Sequence, residues 1–319
     1  MRRADMALPT GTVAEQITAE VWAWVGSASL RGLVRHFGGD WPAGDVTQVL
    51  RFLDDFSARH WDFRQGRERP EAREPTFDAP TTDLVLDAAA ALGMVRSAPP
   101  ARPAYAHLVV LGGLAHACVR RVAYAAHLLR AGLAVDGEVA VLGSFRPLSE
   151  WERETLADAG LPADDTEVDV LDTAVRRAFG VAAPAERDGV DAGHPHHSWS
   201  SRTYRPAGLP PVRVLAAPSS EPDRRRAHTA DTQRFWAGHV RLAPGDEVLM
   251  VTAPIYVPFQ HCDALRTLAR PYGCGIDTVG VDPALTDPAV LPEQTLTPGR
   301  YLQEIRSAIR SMRALHDLR

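Results

Sequence analysis

The chain of 319 residues has 45% hydrophobic side chains, enough for one large α/β domain with an added element. Its net charge of −5 argues against general nucleic-acid binding, because that role needs a basic face. The sequence has no lysine and no asparagine, which excludes a Walker lysine, a Schiff-base lysine and N-glycosylation and leaves arginine as the cation for anionic ligands.

The cysteines and the N-terminus indicate a cytoplasmic setting. The three cysteines form no CxxC pair and lie in or beside apolar segments, so a reduced compartment without a disulfide framework is expected. The two arginines near the N-terminus precede no apolar run, which argues against a signal peptide or membrane anchor. No segment has ~18 consecutive apolar residues, so neither a membrane span nor a membrane partner is expected.

Residues 1–100 are predicted to form a helical N-terminal region. Apolar residues recur at mostly helical spacing in two segments, and Thr81 or Thr82 can cap a third helix. Composition predicts an exposed, charged loop at 62–80 and a linker at 97–104. The predicted helices span 13–37, 45–61 and about 81–94.

Residues 101–319 alternate short apolar runs with helical patterns. The runs are rich in Val and Leu and too short for ordinary helices, so each is predicted to be a buried strand. This alternation predicts an α/β fold, namely a Rossmann-like, open, mostly parallel sheet of about five strands with an N-terminal helical extension. The stretch 181–211 is expected to be a functional or mobile loop. The predicted strands are 107–113, 138–143, 212–217, 247–253 and 275–281, and the predicted helices are 115–131, 148–159, 168–179 and 298–315.

Ligands of such sheets bind beyond the carboxyl ends of the strands, so polar residues at those ends are candidates. Gly112 and Gly113 end the first strand, where bare backbone lets a ligand approach a helix N-terminus, although a tight turn would also explain them. Ser144 and Arg146 follow the second strand and could hold a phosphate or carboxylate, or be an ordinary loop serine and surface arginine.

Glu167 opens a predicted helix that Thr166 can cap. An acid there favours the positive end of the helix, and that structural role alone would explain it. Near the strand ends, the Glu167 carboxylate could instead bind ligand hydroxyls or amines, or act as a base.

The segment 224–232 follows the third apolar strand and is rich in polar groups. Thr229 is a candidate N-cap, with Asp231 in the first helical turn and Thr232 beside it. Three consecutive arginines, Arg226 the last of them, precede the helix and could bind an anion together with its dipole. A cap with a solvated charge run is the structural alternative.

Three further candidates follow the fourth strand. Thr252 lies at its end, Tyr256 could stack on a ring or donate a hydrogen bond, and Gln260 comes one turn later. Tyr256 could equally be an aromatic packed against the core.

The motif GHPHHSW contains His194, His196 and His197 and suggests a metal site. It lacks a carboxylate at ligand spacing, so no metal ligand is assigned.

An ordered set of segments across about 107–315 resembles the YdcF/SanA-like domain family, whose biochemistry is largely undefined. The resemblance implies a Rossmann-like open sheet with its site at the strand ends, and by position it indicates Gly112, Gly113, Ser144, Glu167, Thr229, Thr232 and Thr252. Two features depart from the family pattern: an expected asparagine is absent near Thr232 and Gln233, and Tyr256 replaces a usual histidine. The matching segments are LVVLGG (108–113), an arginine at 120 or 121 with the helical Ala/Leu pattern after it, LGS (142–144), TE (166–167), HTADT (228–232), VTAPIY (251–256) and YLQEIR (301–306).

Three functions fit these patterns. The first is an enzyme that binds a small anionic or nucleotide-like ligand, with S-adenosylmethionine as one candidate, for transfer or hydrolysis. Arg146 and one of the three arginines would hold the anion, and Glu167 or Asp231 would orient or deprotonate a substrate group. The second is a non-catalytic metabolite sensor. The third is a metal-dependent hydrolase using the loop 194–197. A homodimer is also possible.

Overall fold

The computed structural model describes residues 8–9, 14–63, 74–96, 98–162, 164–282, 284 and 296–318. The chain divides into two compact units. We call Met1–Ser97, Pro254–Arg266 and Gln294–Arg319 the helical unit, and Ala98–Ala253 with Thr267–Glu293 the sheet unit. The closing helix was predicted to be part of the α/β region, but it belongs with the N-terminal helices.

The helical unit is built around its last helix. This helix, α11, contacts α1, α3, α4 and α9, which is why the closing segment joins the unit. Its predicted apolar face is buried, with Leu302, Ile305 and Ile309 at 0% exposure. The helices of the unit are α1 (Ala14–Val25), α2 (Ala28–His36), α3 (Val46–His60), α4 (Ala79–Ala91), α9 (Val257–Ala264) and α11 (Pro298–His316).

Two predicted helix boundaries in this unit are wrong. The single helix predicted over 13–37 is broken between α1 and α2, because the Ser27 side chain accepts a hydrogen bond from the Leu30 amide at 3.3 Å and caps a new helix. The third helix begins earlier than Thr81 or Thr82, because Asp78 is its N-cap and accepts from the Thr81 amide at 2.9 Å.

The sheet unit is a mixed α/β structure. Its main sheet has seven strands in the order β5-β6-β7-β4-β2-β8-β9, and β1 and β3 form a separate pair. All five predicted strands are present, and β7, β4, β2, β8 and β9 pair in parallel. The strands are β1 (Ala104–Tyr105), β2 (His107–Leu111), β3 (Ala134–Val135), β4 (Val139–Gly143), β5 (Glu186–Val190), β6 (Trp199–Tyr204), β7 (Val212–Ala216), β8 (Glu247–Thr252) and β9 (Gly275–Gly280).

The stretch 181–211 is not a loop without secondary structure, because it contains the antiparallel pair β5 and β6. These two strands raise the main sheet above the predicted count of about five. The β6 sequence WSSRTY lacks the apolar pattern of a strand, and its pairing with β7 stabilises it instead. The Tyr204 hydroxyl also donates to Asp172 at 2.6 Å, which ties β6 to a helix.

Helices cover the sheet and position its strand ends. Helices α5 and α7 contact each other and share a buried apolar cluster with alternate residues of β2, β4, β7 and β8. Helix α8 packs against β4 and β7. The helices of this unit are α5 (Ala115–Arg130), α6 (Glu150–Asp158), α7 (Glu167–Phe179), α8 (Thr229–His239) and α10 (Arg270–Tyr272).

Across the described part of the chain, none of the helices combines the length and apolar character that a membrane crossing needs.

A cluster of polar side chains lies at the amino ends of the parallel strands, at the edge of the sheet away from the predicted site. The Trp236 indole donates to Glu138 at 3.0 Å, and Arg213 pairs with the same carboxylate at 2.9 Å. The His107 ring packs edge-on against Trp236 and accepts a hydrogen bond from the Glu138 amide at 3.3 Å. Burial lowers the pKa of His107 below its ordinary 6.5, outweighing the carboxylates of Glu138 and Asp246, which raise it.

We predict that His107 makes folding stability fall with acidification. Its pKa is lower in the folded than in the unfolded chain, so its contribution is complete above about pH 6.5 and is lost as pH falls below that value. Urea unfolding from about pH 8 to about pH 5 should give a smaller loss for His107→Gln than for the wild type. His127→Gln, at an exposed position on α5, is the control and should follow the wild type. Equal pH slopes for wild type and His107→Gln would contradict the prediction.

Candidate functional site

The carboxylate of Glu167 lies between the carboxyl ends of β2 and β4. Glu167 is the first residue of α7 and is only 6% exposed. Its Oε2 accepts two hydrogen bonds from Ser144, from the amide at 3.1 Å and from the hydroxyl at 2.8 Å. The carboxylate is therefore held at one oxygen by the residue that follows β4.

The other oxygen of Glu167 lies against Gly112. A Cβ atom built on Gly112 would be 2.6 Å from Glu167 Oε1 and 2.7 Å from the Leu142 carbonyl. Among the described residues, none donates a hydrogen bond to Oε1. The glycine at the end of β2 thus allows the carboxylate to approach the strand backbone, and the free lone pairs are on the oxygen that faces that glycine.

The start of α7 is fastened to the loop after β4. The Glu167 amide donates to the Arg146 carbonyl at 2.9 Å, and the Val168 amide donates to the Ser144 carbonyl at 3.2 Å. Thr166 is the N-cap, but its hydroxyl donates to Asp169 at 2.6 Å instead of capping a backbone amide. Backbone bonds, and not the predicted threonine cap, therefore fix the position of Glu167.

Arg146 is already neutralised by an internal partner. Its two terminal nitrogens donate to the two Glu152 oxygens at 2.9 and 2.8 Å, and one also donates to the Gly113 carbonyl at 2.9 Å. Glu152 in turn accepts from the Ala115 amide at 2.9 Å. Burial alone would raise the pKa of Glu152, but the Arg146 and Ser149 hydrogen bonds lower it to about 2. Arg146 therefore fastens the loops after β2 and β4, and Glu152 occupies the position that we predicted for a ligand anion.

Arg121 and Cys118, which were not among the predicted site residues, complete this group. Arg121 is 2% exposed and donates to the Leu111 carbonyl at 2.7 Å and to the Gly112 carbonyl. The Cys118 thiol donates to the Gly113 carbonyl at 3.5 Å, and burial raises its pKa to about 12, with the Glu167 charge adding to the effect. Arg121 could have been found from its spacing, since it lies two helical turns after Gly113 and helical side chains tilt toward the N-terminus.

The residues of 224–232 form a second group at the start of α8. The N-cap is His228, not Thr229, and its ring accepts from the Asp231 amide at 3.3 Å. Asp231 pairs with Arg225 at 2.5 Å. Burial would raise the pKa of Asp231, but the hydrogen bonds from Arg225 and Ser220 lower it to about 2. An ion-paired carboxylate that closes a capping box is a poor general base, so this geometry favours a structural role for Asp231.

The other predicted residues lie outside the Glu167 group or in the other unit. Thr232 is buried and donates to the Thr229 carbonyl at 2.9 Å within α8, and the Arg226 side chain is half-buried. Thr252 is fully buried at the end of β8. Tyr256 and Gln260, each 6% exposed, belong to the helical unit.

The three histidines of 194–197 lie close together without forming a described metal site. The His194 ring centroid is 4.7 Å from that of His196 and 5.7 Å from that of His197. His196 Nδ1 is 3.1 Å from the Pro222 carbonyl, and the exposed His197 is 3.6 Å from Asp223. Within the described ranges, no three His, Cys, Asp or Glu side chains are grouped so as to hold a metal ion.

These features define an α/β protein with a mostly parallel sheet and a buried carboxylate at the carboxyl ends of its central strands. The family model described as "Rv3785 N-terminal domain" matches residues 9–93, which include α1 to α4. The chain is 33% identical over 325 aligned positions to "Uncharacterized protein Rv3785" and "Uncharacterized protein MT3893" of Mycobacterium tuberculosis and to "Uncharacterized protein Mb3814" of Mycobacterium bovis. Each alignment covers 92% of this chain and 87% of the relative. The protein therefore belongs to the Rv3785 family. No solved structure matches it.

We predict that Gly112→Ala displaces the Glu167 carboxylate. The new methyl group would overlap both Glu167 Oε1 and the Leu142 carbonyl, and the backbone oxygen cannot move aside cheaply. Urea denaturation should show a loss of about 1–3 kcal/mol in the free energy of unfolding. Gly238→Ala in α8, where an added methyl meets nothing within 4 Å, is the control and should be neutral or gain up to about 1 kcal/mol. A neutral Gly112→Ala variant would contradict the described contact.

We predict that Glu152→Ala costs about 3–5 kcal/mol, because it leaves the guanidinium of Arg146 buried without its counter-ion. The double variant Arg146→Met with Glu152→Leu should be less destabilised than Glu152→Ala. Chemical denaturation of this double variant and of the single variants Arg146→Met and Glu152→Leu completes a double-mutant cycle that measures the coupling. The control is Glu154→Ala at an exposed position of the same helix. Because the folded pKa of Glu152 is lowered, its contribution is present above about pH 4.5 and is lost as pH falls toward about 2. Additive effects of the two single variants would refute the coupling.

Proposed function

We propose that this protein is an enzyme that binds a small metabolite at the carboxyl ends of β2 and β4, with Glu167 orienting or deprotonating a hydroxyl or amino group of the ligand. One observation carries the proposal. Glu167 is 6% exposed, one of its oxygens is fixed by Ser144, and no described residue donates to the other. A buried carboxylate with an unused acceptor is best satisfied by a donor group on a ligand.

The strand arrangement supports the same position. Five parallel strands with covering helices are what a Rossmann-like fold would have, and such sheets bind ligands at their carboxyl ends. The side-chain position of Gly112 is filled by Glu167 Oε1, and that of Gly113 lies 3.2 Å from the Arg121 guanidinium, so the two glycines make room for these protein groups beside the proposed ligand. Nucleotide-like ligands, S-adenosylmethionine among them, carry ribose hydroxyls and an amino group that could donate to Glu167. Transfer and hydrolysis are the reaction types we propose.

The contacts change the roles that we assign within this site. Arg146 is satisfied by Glu152, so we propose that it positions the loops and does not itself hold the ligand. Asp231 is ion-paired with Arg225 through Oδ2, although its Oδ1 is buried without a hydrogen-bond partner. No described cation forms such an ion pair with Glu167, so we propose Glu167 as the better candidate for the base. Arg226 stays a candidate for an anionic part of the ligand.

A non-catalytic sensor is the second candidate, and one observation favours it. Burial raises the pKa of the Cys118 thiol to about 12, and Ser144 is only 4% exposed, so neither is an accessible, activated nucleophile. A site of this kind could bind a metabolite without forming a covalent intermediate.

We predict that Glu167→Gln abolishes ligand-induced stabilisation while the protein stays folded. Glutamine can still accept the Ser144 hydrogen bonds, but it is uncharged and a poor base. Thermal shift with S-adenosylmethionine or ATP at about 100 times the dissociation constant should stabilise the wild type by about 2.7 kcal/mol. Glu154→Gln, an exposed site, is the charge-matched control and should keep the shift.

The outcomes separate the two candidates. A wild-type shift with product formation supports the enzyme, whereas the same shift with unchanged ligand after long incubation supports the sensor. An equal shift in wild type and Glu167→Gln would remove Glu167 from the binding site.

A further inference from the structure

Three successive carbonyl groups at the end of β2 point toward α5. The Nη1 atom of Arg121 donates to the Leu111 carbonyl at 2.7 Å and also to the carbonyl of Gly112. The Gly113 carbonyl accepts from the Cys118 thiol, on the same helix as Arg121, at 3.5 Å. Successive carbonyls alternate in direction along an extended strand. Because two of them share one donor atom here, the chain has left the strand conformation and turns these carbonyls to one side.

The amides of the same peptide groups point the other way. A trans peptide places its N–H opposite its C=O, so the amides of Gly112, Gly113 and Leu114 face away from α5. In the part of the chain that the structure describes, no group accepts a hydrogen bond from any of these amides. All three residues are half-buried, so a small molecule can reach the donors. Successive backbone amides that face one side form a concavity that binds negatively charged oxygen.

The Glu167 side chain gives an independent indication that a ligand meets these amides. Glu167 is 6% exposed, and its Oε1, to which no described residue donates, lies against Gly112. A buried acceptor and unpaired donors therefore lie side by side at the end of one strand, and the fold does not join them to each other. Buried polar groups are normally paired, so a molecule that offers both a donor and an acceptor would satisfy both sets.

The surrounding charges favour an uncharged acyl group over a phosphate at these amides. Glu152 neutralises Arg146, and the Glu167 carboxylate repels a group that is already anionic. An acyl oxygen has no net charge until a nucleophile attacks its carbon. By then Glu167 has taken the proton of the nucleophile, so two negative charges are not held side by side.

We propose that the amides of Gly112, Gly113 and Leu114 form an oxyanion hole for the acyl group of an ester or thioester, and that Arg121 is the residue that positions them. This inference rests on the proposed role of Glu167. The Arg121 guanidinium also polarises the two peptide groups whose carbonyls it holds, which strengthens their N–H donors.

The reaction needs no group beyond the ligand and the nucleophile. A water or a ligand hydroxyl gives its proton to Glu167 Oε1 while its oxygen forms a bond to the acyl carbon, and the π electron pair of the carbonyl moves to the oxygen held by the amides. The electron pair then returns, the bond between the acyl carbon and the leaving group breaks, and the proton on Glu167 passes to the leaving oxygen or sulfur.

The variant Leu114→Pro removes one of the three amides with little change to the backbone. Leu114 has φ −68° and ψ 151°, which proline adopts, and the glycine before it has no Cβ atom to clash with the proline ring. The full-length protein is assayed by release of p-nitrophenolate from p-nitrophenyl acetate. Loss of one oxyanion donor should lower kcat by about 10²-fold with little change in KM, because the bond is strongest in the transition state. Leu114→Ala keeps the amide and measures the effect of the side chain alone, and thermal unfolding checks that both variants fold.

A second measurement does not depend on the choice of substrate. Acetate carries an oxyanion that is already formed, so it should bind more tightly to Glu167→Gln, which lacks the repelling charge, than to the wild type. Titration calorimetry should show that adding Leu114→Pro to Glu167→Gln weakens acetate binding by at least about 10-fold, and that adding Leu114→Ala weakens it less.

The inference is overturned if Leu114→Pro and Leu114→Ala have the same kcat. It is also overturned if the wild type releases no p-nitrophenolate and Glu167→Gln binds no acetate. Faster turnover of p-nitrophenyl phosphate than of p-nitrophenyl acetate would overturn the acyl assignment. A failure of the proposed role of Glu167 gives a different result, since Glu167→Gln would then keep both the turnover of the ester and the ligand-induced stabilisation.

Discussion

The buried carboxylate of Glu167 constrains the carboxyl ends of the two central strands of the sheet. A charged oxygen that is removed from water needs donors, and Ser144 supplies two of them from the residue that follows β4. Its other oxygen lies so close to Gly112 that no side chain fits there. One interaction thus determines the residue type at the end of β2, the residue type after β4 and the starting point of α7.

The surrounding charges support that carboxylate without competing for it. Arg146 bonds to Glu152 and to the Gly113 carbonyl, so it links the two strand-end loops while its charge is cancelled. Arg121 donates to two carbonyls at the end of β2. Because arginine has five donors in a rigid fork, it can hold several backbone and carboxylate oxygens at once, which a lysine cannot do with the same geometry.

The strands and the grouping of Gly112, Ser144 and Glu167 could be predicted from the sequence. Apolar runs identified the parallel strands, and the rule that strand ends converge at one edge brought these residues together. The pair β5 and β6 could not be predicted in this way, because β6 is polar and is stabilised by its pairing with β7 and by Asp172. The ion pair between Arg146 and Glu152 could not be predicted from a local sequence pattern either, because tertiary packing brings the two side chains together. The role assigned to Arg146 therefore changed once its partner was known.

Arginine residues in this chain differ in whether the fold neutralises them, and that difference separates structural from ligand-binding candidates. Arg146 and Arg225 looked like anion-binding groups because they precede or follow strand ends, yet each has an acidic partner within 2.8 Å. Position at a strand end locates a site, but the balance of buried charge indicates which of its groups are available to a ligand.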